Sequence, residues 1–224
     1  MKQFTWSAAL FLSVAAIAAA ETATERLATS AEVFQEIMGT PDKGIPQDLL
    51  GKAQCVIIVP GLKKGAFVVG AEFGRGFAEC RKADGYGWGA PGAVRMEGGS
   101  FGFQAGGSST DVVMLVMNQR GMQKLLGDKF TLGADASVAA GPVGRTADAS
   151  TDVRMDAEIL AWSRAKGLFV GISLNGATLR NDSDVNGELY GRKIDNKQVL
   201  SGEIEPTPAS QALRSALDKY SMRK

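Results

Sequence analysis

The sequence predicts an α+β fold: a Gly-rich, mainly antiparallel β-sheet or barrel-like core with N-terminal and C-terminal amphipathic helices. Three observations carry this. Of the 28 glycines, 24 fall between Gly61 and Gly191, where β-branched runs and turn signals alternate. Thr151 to Ala161 alternates with a period of two. Val153, Met155, Ala157, Ile159 and Ala161 face one way and Arg154, Asp156, Glu158, Leu160 and Trp162 the other, as in a strand with one buried face. The two ends instead show apolar residues at helical spacing.

Met1 to Ala20 reads as a secretory signal peptide. Lys2 supplies the positive start, Phe4 to Ala19 the apolar run, and Ala18-Ala19-Ala20 the small-residue cleavage site. The run is too short and wrongly flanked for a spanning helix, and no later segment approaches the roughly 20 apolar residues one needs. The expected mature chain, residues 21–224, is one domain in a bacterial periplasm or outside the cell, without a transmembrane helix. Without Lys2 it holds 24 basic and 24 acidic side chains, a formal charge of zero. Attraction to nucleic acid through overall charge is thereby excluded, and electrostatic binding must come from local clusters.

From Thr24 to Met38, the residues Leu27, Ala31, Phe34, Ile37 and Met38 form one apolar stripe, opposite a face bearing Glu25, Glu32 and Glu36. A second, short helix is expected from about Pro46 to Gly51. Cys55-Val-Ile-Ile-Val reads as a buried strand stopping at Pro60-Gly61. A turn, Gly61 to Gly65, would then carry Lys63 and Lys64 at its tip. Strands over Gly65–Ala71 and Phe73–Cys80 follow, then a turn with Arg81 and Lys82. If both turns fall at one end, Lys63, Lys64, Arg81 and Lys82 make one basic patch. Such a patch attracts anionic headgroups by roughly 1 kcal/mol per charge; the bland alternative is solvated turn residues that protect sheet edges.

Cys55 and Cys80, 25 apart, lie in predicted strands. They form either a disulfide or two buried thiols, since pairing needs a Cα separation that sequence does not supply. Farther on, Gly98 to Gly107 pairs turns with a short strand, Val112 to Met117 reads as a central strand covered on both faces, and Asn118 begins a short helix with Met122, Leu125 and Leu126. Gly141-Pro142 interrupts a small-residue stretch, and GLFVGISLNGA from Gly167 reads as another strand. The closing helix, Pro208 to Tyr220, presents Ala209, Ala212, Leu213, Ala216, Leu217 and Tyr220 on one face.

Catalysis and cofactors find little support. The chain has no histidine, so none serves as a general base near neutral pH, and two cysteines without a histidine argue against a zinc site. Asp182-Ser-Asp-Val-Asn-Gly opens like a calcium loop, but its twelfth position is Lys193, a cation where a bidentate glutamate is required. Gly141-Pro-Val-Gly-Arg-Thr lacks the first glycine and the lysine of a phosphate loop. Asp156 and Glu158 share a strand face, an arrangement more often balanced by neighbouring arginines such as Arg154 and Arg164 than catalytic. An outer-membrane barrel is disfavoured by the C-terminal helix and the scarcity of aromatics.

The runs FTLGADASVAAGPVGR, TDVRMDAEIL, SRAKGLFVGISLNGA and ELYG, with VIIVPGLKKGAFVVG and FGRGFAECR upstream, closely resemble the SYLF domain over about Ala31 to Gly191. That family includes SH3-containing adaptors of yeast and vertebrates and secreted bacterial proteins. The resemblance implies a non-enzymatic module that binds lipid, and actin in yeast members. In eukaryotic members a basic amphipathic N-terminal segment is implicated in phosphoinositide binding, whereas here that segment is acidic. The expected function is thus a secreted or periplasmic module for anionic phospholipid or a membrane surface. The alternative is a protein-interaction or envelope-structural module without lipid contact, serving a protein partner.

Overall fold

The computed structural model describes residues 21–40, 44–66, 69–101, 106–144, 156–165 and 168–221. The expected alternation over Val153 and Met155, the signal peptide and Arg154 lie outside them.

Helix α1 (Ala23–Gly39) starts at a capping box: Thr22 accepts from the Glu25 amide, and the Glu25 carboxylate accepts from the Thr22 amide at 2.8 Å. Those bonds hold the Glu25 carboxyl below its usual pKa. Leu27, Ala31, Phe34 and Ile37 are buried as the stripe requires. A short α2 (Gln47–Lys52) follows.

Among the described residues the sheet has nine strands: β1 (Cys55–Ala66), β2 (Val69–Cys80), β3 (Gly92–Phe101), β4 (Gly106–Val116), β5 (Lys129–Thr131), β6 (Val138–Ala140), β7 (Ile159–Ala165), β8 (Leu168–Gly171) and β9 (Thr178–Asn181). They run in the order β5-β9-β3-β2-β1-β4-β7-β6, with β8 also on β7. The pairs are antiparallel except β6–β7, which is parallel, and the whole is a curled half-barrel. Helix α3 (Gln119–Leu125) links β4 to β5, and α4 (Ser183–Tyr190), the short α5 (Asn196–Gln198) and α6 (Gln211–Tyr220) follow β9.

Both faces of the central strands are buried, in two separate cores. On one, Val56, Ile58, Phe77, Val113, Leu115, Leu160 and Trp162 pack beneath α1, α2 and α6, where Phe34 meets Tyr220 edge-on at 6.1 Å. On the other, Ile57, Val59, Met96, Val112, Met114, Ile159 and Ala161 pack against Leu125, Phe130, Leu132, Leu179 and Leu200. The continuous run Val112–Val116 is accordingly enclosed on both sides.

Double burial corrects the expectation for the stretch ending at Ala161. Leu160 and Trp162, assigned to a polar face, are as enclosed as Ile159 and Ala161. Trp162 donates its indole N–H to the Pro142 carbonyl at 2.9 Å, stacks on Phe169, and leaves no room for a side chain at Gly141. The Gly-Pro pair is a seat for this tryptophan.

A second correction concerns Pro60-Gly61. The chain does not turn there. β1 continues to Ala66, absorbing the pair as a bulge that shifts its register with both β2 and β4. A bulge admits proline inside a sheet because the lost N–H falls where the ladder is already broken. Gly61 takes φ +57°, and its N–H donates to Asp111 Oδ1 at 2.9 Å. Of the two strands expected over Gly65–Ala71 and Phe73–Cys80, Gly65 and Ala66 instead end β1, and from Val69 the chain runs to Cys80 as one strand, β2.

Cys55 and Cys80 are register partners on β1 and β2 and are joined as a disulfide, with a Cα separation of 4.0 Å. Its reduction should cost about 3–4 kcal/mol in the chain-entropy account of a 25-residue loop. Urea unfolding with and without reductant measures this as a lower midpoint. Gly76 offers a second check: a Cβ there would strike the Ile58 carbonyl oxygen and come within 2.7 Å of Val59 Cα. Gly76→Ala should lower Tm strongly, by the equivalent of about 2–4 kcal/mol, while Gly99→Ala, with nothing within 4 Å, should be nearly silent.

Candidate functional site

The continuation of β1 past Pro60 separates the four cations expected to form one patch. Lys63 and Lys64 pair with Phe73 and Glu72 near the β1–β2 hairpin end, whereas Arg81 follows Cys80 at the opposite end of β2. The nine residue steps from Glu72 to Arg81 span about 30 Å of extended strand. Even the two lysines part company: Lys63 lies on the face that α1 and α6 cover farther along, while Lys64 points to the other and pairs with Glu72 at 2.8 Å. Lys82 is exposed and Arg81 buried.

Arg81 has structural partners. Its guanidinium donates to the carbonyls of Leu50 (3.2 Å), Ala53 (3.4 Å) and Ser221 (2.8 Å), and lies 4.3 Å from the centre of the Trp88 ring. It fastens α2 and the chain beyond α6 to the sheet.

The sheet assembles a different group of cations. Arg75 on β2 pairs in register with Arg95 on β3, Arg95 with Arg180 on β9, and Arg180 with Lys129 on β5. Partners in register point to the same face, so four basic side chains stand in one row across four adjacent strands. The row spans about 14 Å, three interstrand spacings. It lies on the face that α1 and α6 cover over β1 and β4, beyond the reach of those helices. Like charges directly opposite one another destabilise a sheet, so the row is a cost to folding rather than a product of it.

Two carboxylates offset the row in part. Asp182 Oδ2 lies 3.0 Å from Arg75 Nε; Glu97 reaches Arg95 Nε at 2.7 Å and Arg180 Nη1 at 3.6 Å. Beside the row, Phe73 is 44% exposed, with the Arg75 guanidinium 5.9 Å from its ring centre and Lys63 opposite it on β1. Lys63, Arg75, Arg95, Arg180 and Lys129 thus face Glu97 and Asp182, leaving three positive charges in excess within the group. The side chains of Arg75, Arg95 and Arg180 are 28–39% exposed, open enough for an anion to reach. Sequence reasoning missed this row because positions 75, 95, 129 and 180 form no local cluster; only strand register joins them.

The acids considered for chemistry have structural duties. Glu158 and Ser137 exchange hydrogen bonds at 2.8 and 2.9 Å, and Asp156 is exposed, so the two do not form an acid pair. Arg164 binds Asp111 through Nε and Nη2 at 2.9 and 2.8 Å, and Glu36 through Nη1. Asp182 caps α4 by accepting from the Val185 amide, and Asn186 is buried among Ala93, Ile194 and Asn196. No group of three potential metal ligands occurs among the described residues.

Residues 97–220 match the family model described as "Ysc84: Las17-binding protein actin regulator". The chain belongs to the Ysc84 (SYLF) family. It is 35% identical over 180 residues to LAS seventeen-binding protein 3 of Saccharomyces cerevisiae, covering 79% of this chain and 39% of that protein. It is 33% and 32% identical over 181 residues to SH3 domain-containing YSC84-like protein 1 of Bos taurus and Homo sapiens, covering 80% of this chain and 52% of each. The chain therefore spans about half the length of these relatives or less. The family is non-enzymatic. No helix among the described residues is long and apolar enough to cross a membrane.

Arg81→Ala should lower Tm by the equivalent of about 3 kcal/mol, because three buried carbonyls lose their charged donor. Thermal unfolding by circular dichroism reads this directly.

Proposed function

We propose that this protein is a secreted or periplasmic, non-enzymatic module that docks reversibly on anionic phospholipid at a membrane surface. The basic row carries the reading. Three excess charges beside an anionic surface contribute about 3 kcal/mol. Half-burial of the exposed Phe73 ring adds on the order of 1 kcal/mol. Such energies support reversible, salt-sensitive attachment rather than permanent anchoring. Arginine suits the task because its planar fork donates two parallel hydrogen bonds to a phosphate. Secretion rests on the Met1–Ala20 leader, with residues 21–224 as the mature domain.

The second reading is a protein-interaction or envelope-structural module. It draws on the exposed apolar residues Leu168 (65%) and Val170 (38%) of β8, which pairs only with β7 among the described residues, and on the binding partners named in the family description.

Co-sedimentation of residues 21–224 with vesicles separates the two. Lipid docking predicts binding to anionic but not neutral vesicles, weakening as salt rises. The double variant Arg95→Gln/Arg180→Gln should bind roughly thirtyfold less, the equivalent of about 2 kcal/mol. Lys82→Gln, at the far end of β2, should bind as the parent does. Undiminished binding by the double variant removes the row from the reading; no binding by the parent protein favours the interaction module.

A further inference from the structure

Glu79 is the penultimate residue of β2, in register with Val56, so its side chain points into the core beneath α6. It is 0% exposed, and neither carboxyl oxygen has a hydrogen-bond partner among the described residues. Among the described residues, ionisable groups face it from three elements. From α6 come Arg214 and Asp218; from α4 comes Tyr190, whose hydroxyl donates to the Pro91 carbonyl at 2.7 Å. Along β2 comes Arg81, committed to the carbonyls of Leu50, Ala53 and Ser221. Arg214 is turned aside as well, donating its Nε to the Trp88 carbonyl at 3.3 Å. Among the described residues no donor reaches the carboxyl.

An ionised carboxylate without donors is among the costliest groups to bury, whereas the neutral acid costs far less. Burial therefore pushes the Glu79 pKa well above the usual 4.5; Arg214 pulls it back in part and Asp218 adds to the rise. Tyr190 is pushed upward as well, mainly by burial and then by Glu79. We propose that Glu79 is a proton-operated latch for the C-terminal helix: as the neutral acid it lets α6 seat on the sheet, and loss of its proton to solvent favours a lifted α6. Lifting α6 uncovers its buried Leu213, Ala216 and Leu217, with Phe34 of α1 beneath, an apolar surface that the seated form hides.

The sign follows from the raised pKa of the seated state. In the lifted state Glu79 meets water and titrates near 4.5. Seating is thus fully supported below that pH and weakens as pH rises towards the seated-state value. Over that interval the lifted fraction grows by about tenfold per pH unit.

Hydrogen exchange of residues 211–220 from pH 5 to 9, corrected for the intrinsic dependence of exchange on pH, tests the latch. The parent protein should open about tenfold more readily per pH unit and then level off. Glu79→Gln should show no such slope. Asp218→Asn, which removes the repelling charge, should level off at lower pH, and Arg214→Gln at higher pH. A flat profile in the parent, the same slope in Glu79→Gln, or an unmoved plateau in Asp218→Asn overturns the proposal. Because the last outcome does not need Glu79 to be changed, a Glu79→Gln variant that failed to fold would leave the test intact.

Discussion

The pairing of β1 with β4 places two continuously apolar strands at the centre of the sheet, and both of their faces must be kept from water. The rest of the fold answers that demand. Helices α1, α2 and α6 cover one face. On the other, the curl of the sheet brings β5, β9 and α3 round to close a second core. The disulfide ties β2 to β1 where the helical layer also converges, and Arg81 joins α2 and the chain after α6 to that corner. The helical layer is narrower than the sheet. Beyond its edge, β2, β3, β9 and β5 show water the face they would otherwise bury, and there the arginines and Lys129 stand.

The Pro60-Gly61 bulge is the hinge of this arrangement. By bending without ending β1, it lets the central strands run on past the helices and form an uncovered extension. The bulge is tied to the helical layer through polar groups: the Gly61 amide donates to Asp111, Asp111 accepts two bonds from Arg164, and Arg164 reaches Glu36 on α1. This half-buried network is charge-assisted, with both Arg164 donors converging on Asp111 Oδ2 while Oδ1 takes the Gly61 amide. It fixes where covered sheet gives way to exposed sheet, and hence where the basic row begins.

Helices were legible in the sequence because their signals are local. The Leu27–Phe34 stripe marks α1, and the apolar face from Leu213 to Tyr220 marks α6. The α+β class and the doubly covered Val112–Val116 strand were equally plain. Errors arose where a local signal has two structural meanings. Pro-Gly reads as a turn but also marks a bulge, and only strand pairing chooses between them. Alternation up to Ala161 suggests one buried face, yet an Ala, Leu and Trp run can equally fill two cores. The candidate site was the least legible part. Arg81 follows a predicted strand as a surface turn residue would, but its partners, Leu50, Ala53 and Ser221, are 28 to 140 positions away. The basic row has no sequence signature, since Arg75, Arg95, Lys129 and Arg180 become neighbours only through three separate strand registers.

The proposed docking brings the uncovered, arginine-bearing face to the membrane. Phe73 reports on that face, and the tryptophans at 88 and 162 are buried, so a tryptophan placed at 73 would be read against an enclosed background. The most direct measurement is the emission of Phe73→Trp, titrated with anionic vesicles beside Tyr86→Trp, which occupies an exposed turn outside the row. The account predicts a blue shift and protection from aqueous quencher at position 73 alone, reversed by salt. Vesicle binding that leaves position 73 fully accessible to quencher would contradict it.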